Sequence, residues 1–167
     1  MKLIGKGTFT KAYLLESGEV LLKSVDPIKE CMAHGWVPVS ELFPSVSLED
    51  CETYKMKYYP KVSSLKNTLN EKSYRLYSAL RKLSVGYVRN SYDLLDEWRK
   101  AFDSLPSEFE QEKEDLISAI EACSNYGTDV SFEISPRNVA VDNGNLVLLD
   151  CFFLKSELIK QTSKKRA

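Results

Sequence analysis

One histidine, His34, occurs in 167 residues, and the four cysteines (Cys31, Cys51, Cys123, Cys151) show no Cys-x-x-Cys spacing. A zinc site needs clustered thiolate and imidazole ligands, so this composition argues against one, and four reduced thiols are expected instead. Glycine and proline are also scarce, at seven and six, which excludes collagen-like and low-complexity chains. Neither sign of charge dominates: 23 basic against 24 acidic residues leave a net charge of -1. Without a molecule-wide field, neither nucleic acid nor an anionic membrane is an expected partner, and any anion must be gripped locally. No run approaches the 18 or more apolar residues that span a bilayer, and Met1-Lys2-Leu3-Ile4-Gly5 has no apolar signal-peptide core. The expectation is a cytoplasmic protein. What is present is ordinary for a folded domain, 43% apolar and 28% charged residues, enough for one domain or two small lobes.

Residues 2 to 25 alternate as an antiparallel meander, with breaks at Gly5-Lys6-Gly7 and Ser17-Gly18. Asp26-Pro27 reads as an N-cap with proline in the first helical position, and Gly35 stops a helix of about two turns, near whose end His34 reads as a solvated or dipole-facing ring with no catalytic role. Ser45 to Ser47 and Thr53 to Tyr58 suggest a further hairpin, turning near Glu49-Asp50. From Asn67 the period becomes 3.6: Leu69, Leu76, Tyr77, Leu80 and Leu83 form one stripe, and Leu94, Leu95, Trp98, Phe102 and Leu105 another. Ser107 and Glu110 read as a capping box for a third helix, with Leu116, Ile117, Ile120 and Cys123 inward. Ser131 to Asn138 is a polar loop, followed by a tight hairpin across Asp142-Asn143-Gly144. The basic end, Lys164-Lys165-Arg166, reads as a frayed tail.

Two groups of residues could carry chemistry. Gly5-Lys6-Gly7-Thr8-Phe9 lies between strands, so it is neither a dinucleotide fingerprint nor a Walker loop. A glycine hairpin can instead place backbone N–H groups over phosphates, with Lys23 on the next strand reaching an anion beneath. The second group is Glu133, Asn138 and Asp150, spaced by five and twelve residues. The intervening hairpin should return Asp150 beside Asn138, giving two converging oxygen ligands suited to magnesium.

In this order the pieces resemble the protein kinase fold: Gly5, Gly7 and Phe9 match the glycine-rich loop and Leu21-Leu22-Lys23 the lysine strand. Ser131 to Asn138 looks like the catalytic loop and Leu148 to Phe152 like the strand into Asp-Phe-Gly. Among kinases the chain is most similar to the small early protein kinases of bacteriophages, which implies the cytoplasm of a bacterial host. The resemblance implies an α+β, minimal bilobal protein-kinase-like fold, with residues 1–59 an antiparallel N-lobe sheet with one short helix and 60–167 a truncated, mostly helical C-lobe. It implies ATP and magnesium as cofactors, Lys23 on the α- and β-phosphates, Asn138 and Asp150 on the metal, and Glu133 as the group that orients or deprotonates a protein hydroxyl. Glu30 is the implied ion-pair partner of Lys23, with Glu41 the competitor, and Met56 to Tyr58 would contact adenine.

The sequence departs from that pattern in ways that bear on activity. Thr10 stands for the third glycine, Ser131 for the histidine that braces the loop, Glu133 for aspartate, and Cys151-Phe152 follows Asp150 without the glycine. A displacement of roughly an ångström in a reacting carboxylate can cost about a hundredfold in rate. Only 17 residues follow Asp150, too few for an activation loop and peptide platform. Two main readings follow: an ATP-dependent phosphotransferase acting on protein hydroxyls, with activity reduced or lost, or a kinase-like protein that binds and modulates a host protein. A small-molecule kinase and an unrelated α+β domain complete the alternatives.

Overall fold

The computed structural model describes residues 1–86 and 94–164. Its N-terminal part is a five-stranded antiparallel sheet of β1 (Lys2–Lys6), β2 (Thr10–Leu14), β3 (Glu19–Ser24), β4 (Val46–Asp50) and β5 (Thr53–Lys57), in the order β1-β2-β3-β5-β4. Gly18, at φ 85°, turns β2 into β3. The β4–β5 reversal falls at Cys51-Glu52, just beyond the expected Glu49-Asp50, because a register shift between Leu48 and Asp50 inserts an extra residue. Helix α1 (Pro27–Ala33) starts as expected: the Asp26 carboxylate accepts the Ile28 N–H at 3.0 Å and proline occupies the first turn. Gly35, at φ 72°, ends it, a conformation that favours glycine.

Alternation along β3 decides which residues reach α1. Val20, Leu22 and Ser24 are buried, and Val20 and Leu22 pack with Val46, Tyr54 and α1's Met32 and Ala33. Lys23 therefore stands on the opposite face, directly across from Lys11 and Thr53.

The C-terminal part is mainly helical. It comprises α2 (Leu65–Thr68), α3 (Glu71–Gly86), α4 (Leu94–Asp103) and α5 (Glu110–Ser124). The expected stripes are largely inward, with Leu80, Phe102, Leu116, Ile120 and Cys123 fully buried. The capping box does not form: Ser107 lies inside a 3-10 turn (Ser107–Phe109) that precedes α5, and no side chain caps either element. Proline at 106 precedes that turn with its φ already set, so the tighter turn starts at the serine itself instead of beyond it.

One further strand pairing and one further helix were not apparent in the sequence. Strand β6 (Val130–Phe132) pairs with β9 (Phe152–Leu154), so the start of the expected polar loop is a buried strand. Helix α6 (Lys155–Lys164) follows β9, started by Asp129 accepting the Ser156 N–H; of the expected basic tail Lys164 ends this helix, and residues 165–167 lie outside the described residues. The hairpin of β7 (Val139–Asp142) and β8 (Asn145–Leu148) turns through Asn143 and Gly144, at φ 50° and 84°, as the Asn-Gly pair predicts.

The larger core joins these parts. Ile28 and Cys31 of α1 and Leu42 and Phe43 beyond it pack with residues from α3 to β9, so the main core crosses residue 59. The Leu148 N–H also bonds the Leu42 carbonyl at 2.8 Å. A run of rings fixes the strands around the polar loop: Phe132 meets Trp98 at 5.5 Å, Phe102 at 5.2 Å and Phe152 at 5.3 Å. Such pairs add about 0.5 to 1.5 kcal/mol each beyond area burial. Of the four free thiols, Cys31, Cys123 and Cys151 are buried and Cys51 is exposed, and His34 is the half-exposed C-cap of α1.

Candidate functional site

The β7–β8 hairpin closes through its two-residue turn, so the chain leaving β8 comes back beside the residue that entered β7. The Asn138 carbonyl accepts the Leu149 N–H at 2.9 Å and the Asp150 N–H at 3.4 Å, and the Cys151 thiol donates to it at 3.4 Å. The Asn138 amide nitrogen donates to the Glu133 carbonyl at 2.9 Å and the Asp150 carbonyl at 3.3 Å. Glu133, Asn138 and Asp150 are thus on one short stretch of backbone network. Helix α3 holds the loop from behind, with Arg81 donating to the Ile134 carbonyl and Ser84 accepting the Ile134 N–H at 3.3 Å. These bonds brace the segment that Ser131, buried in β6, leaves without a histidine.

The cation that meets Asp150 comes from α1. Lys29 Nζ lies 3.1 Å from Asp150 Oδ1 and donates to the Leu149 carbonyl at 2.7 Å. Its side chain is only 4% exposed, whereas that of Asp150 is 40% exposed. Burial alone would pull the Lys29 ammonium down, but the charges of Asp150 and Asp26 outweigh it, and the group is held above the usual lysine range. The opposite happens at Asp26: burial raises its carboxyl to about 7 against the pull of Lys29, and its second oxygen, Oδ2, has no hydrogen-bond partner. The result is a buried cation between one half-exposed carboxylate and one buried acid. Lys29 was not among the expected site residues. The available signal was its place beside Ile28, Cys31 and Met32 on a two-turn helix, one helical turn beyond the capping Asp26.

The other expected residues lie elsewhere. Lys23 is exposed and lines a cavity of about 520 Å³ together with Gly7 and Phe9 at the open end of the sheet. Gly5 sits in β1 with space for a methyl group, 3.6 Å from the Ala12 Cβ. Glu30 is exposed, its carboxylate 3.7 Å from His34 Nε2, and Glu41 accepts a hydrogen bond from Asn145 at 3.0 Å. Neither acid pairs with Lys23. Met56, opposite Val20 and Val46, and Tyr58 pack partly buried against the small sheet core.

The donor set at Asp150 is a poor match for magnesium, which wants an octahedron of oxygens. Asn138 Oδ1 already accepts the Ser135 N–H at 2.6 Å and the Ser135 hydroxyl at 3.3 Å, which uses both lone pairs. Asp150 Oδ1 is taken by Lys29. On the buried side of the pair, between Lys29, Phe43 and Cys151, the cavity is about 10 Å³, at the lower limit for one water molecule. Among the described residues no three His, Cys, Asp or Glu groups cluster as metal ligands. The Lys29 ammonium places one positive charge beside Asp150.

Comparison with known proteins returned no matching family model and no matching curated protein. Among solved structures the chain is similar to that of the complex of gentamicin with APH(2")-IIa, at 15% identity and a TM-score of 0.40. That match covers 91% of this chain, which spans 65% of the length of the other.

Proposed function

We propose that this chain is a kinase-like protein in which the Asp150 site is structural, and that it acts by binding another protein rather than by magnesium-dependent phosphoryl transfer. The observation that carries this reading is the buried Lys29 ammonium on Asp150. Phosphoryl transfer depends on neutralising charge spread over the phosphoryl oxygens. A lysine sealed between α1 and the hairpin neutralises Asp150 instead, and Lys23 is on the far face of the sheet. The exposed Trp36 and Val39, beyond the end of α1, give a partner an apolar contact. Residues 1–59 would then serve as a sheet domain and 60–167 as a helical one, sharing the core that Ile28, Cys31 and Phe43 enter.

One observation favours a second reading, an ATP-dependent phosphotransferase acting on protein hydroxyls. The Asn138 amide donates to the backbone carbonyls of both Glu133 and Asp150, which ties the backbone of the three residues together. In that reading Lys29, not Lys23, is the cation of the site, and withdrawal of Lys29 would free Asp150.

Incubation with magnesium and γ-labelled ATP, alone and with bacterial lysate, separates the two. The first reading predicts no transfer by the wild-type protein. Transfer that disappears in Asp150→Asn and Lys29→Ala, and survives in Lys23→Ala, would establish the second.

A further inference from the structure

Lys6, Lys11 and Lys23 occupy one cross-strand row. Lys6 is opposite Lys11, Lys11 is opposite Lys23, and Lys23 is opposite Thr53. Directly opposed residues of an antiparallel sheet share a face, so three ammonium groups stand side by side over about two strand spacings, ~10 Å. All three are exposed and line the cavity of about 520 Å³, with Gly7, Thr10, Thr53 and the single carboxylate Glu52. Among the described residues no carboxylate lies in ion-pair contact with any of the three, whereas Lys55, two residues along β5 on the same face, is paired with Glu49 at 2.8 Å. Like charges placed directly opposite destabilise a sheet, so this row weakens the free protein.

Gly7 adds an independent observation. It has no positive φ, and a Cβ there would come no closer than 3.7 Å to the Thr10 carbonyl. The fold does not require glycine at this position, and Gly7 lines the cavity. The Ser24 N–H bond to the Glu52 carbonyl at 2.9 Å holds the ends of β3 and β5 together beside the cavity.

We propose that this end of the sheet is a binding site for a linear polyphosphate anion, held by the row Lys6, Lys11 and Lys23. Lysine acts on phosphate as a point charge, so a row of three suits a chain of phosphates better than a single one. The site lies on the sheet face turned away from α1 and involves neither Asp150 nor a metal, so it stands or falls separately from the function proposed above.

The test is calorimetric titration with inorganic tripolyphosphate at low salt, without magnesium. Saturable binding is expected, weakened about tenfold or more by Lys11→Gln or Lys23→Gln, unchanged by Lys55→Gln, tightened by Glu52→Gln, and falling with salt as released counterions require. In the ligand-free protein Lys11→Gln should also raise the melting temperature, which separates loss of binding from loss of folding. ATP in place of tripolyphosphate distinguishes the sources of the anion: equal affinity assigns the site to the phosphate chain alone, and tighter binding adds a nucleoside to the ligand. No saturation at millimolar tripolyphosphate, or a loss in Lys55→Gln equal to that in Lys11→Gln, would overturn the proposal.

Discussion

Lys29 Nζ stands 3.1 Å from Asp150 Oδ1, although the two residues are 121 positions apart, and the same ammonium also donates to the Leu149 carbonyl. This pair ties α1 to the end of the β7–β8 hairpin. Removing one member of a buried pair leaves an uncompensated charge and costs about 3 to 5 kcal/mol. Asp150 is 40% exposed, so Lys29→Met should fall below that range, near 2 kcal/mol in denaturant unfolding. The double variant Lys29→Met with Asp150→Asn should recover part of the loss. Equal additive losses would show that the two groups are not coupled.

Asp26 gives the protein a pH dependence of defined sign. Its folded-state pKa is raised from 3.8 to about 7 by burial, so between those values the folded state holds a proton that the unfolded state has released. Stability therefore falls as pH rises from about 4 to 7, by an amount on the order of 4 kcal/mol at about 1.4 kcal/mol per pKa unit. Asp26→Asn keeps an oxygen for the Ile28 N–H and should flatten the profile. Melting curves from pH 5 to 8 that fall equally in both proteins would place the titrating group elsewhere.

Asn138 is the brace of its loop, with its side chain accepting from Ser135 and donating to Glu133 and Asp150. At about 1 kcal/mol per net hydrogen bond, Asn138→Ala should cost ~2 to 3 kcal/mol. Asn138→Asp keeps the acceptor but loses both donated bonds, and places a negative charge beside two carbonyls. It should rescue little. A fully stable Asn138→Asp would mean that the side chain is held by its oxygen alone.

The hairpin turn offers a purely local test. Gly144 has φ 84° and its Cβ position is 3.7 Å from the Asn70 nitrogen. Gly144→Ala should cost about 1 to 2 kcal/mol through left-handed backbone strain, without altering the Lys29–Asp150 pair. Gly5→Ala, at a site with ordinary clearance and no positive φ, should cost less. The reverse order in thermal unfolding would contradict the turn assignment.

Where local chemistry decides conformation, the sequence announced the structure. Asp26-Pro27 started α1, Gly35 ended it, and Asn143-Gly144 turned the hairpin that sets Asp150 beside Asn138. What was not legible depended on which face of an element turns inward. Leu21-Leu22-Lys23 reads equally well in either of two registers, and the choice fell to Val20 and Leu22 packing on α1, which sends Lys23 outward. The burial of Lys29 was hidden for the same reason: a lysine in the first turn of a short helix ordinarily reaches water, and only the returning hairpin, far along the chain, encloses it. Strand β6 was missed because three residues pairing with another three leave too short a pattern.

The most direct test of the account is a magnesium titration of the protein in the presence of ATP, followed by calorimetry on wild type and Asp150→Asn. With Asp150 held by Lys29 and the Asn138 oxygen held by Ser135, magnesium should add no affinity for ATP, and the two proteins should behave alike. Magnesium-dependent ATP binding that is present in the wild type and lost in Asp150→Asn would contradict it.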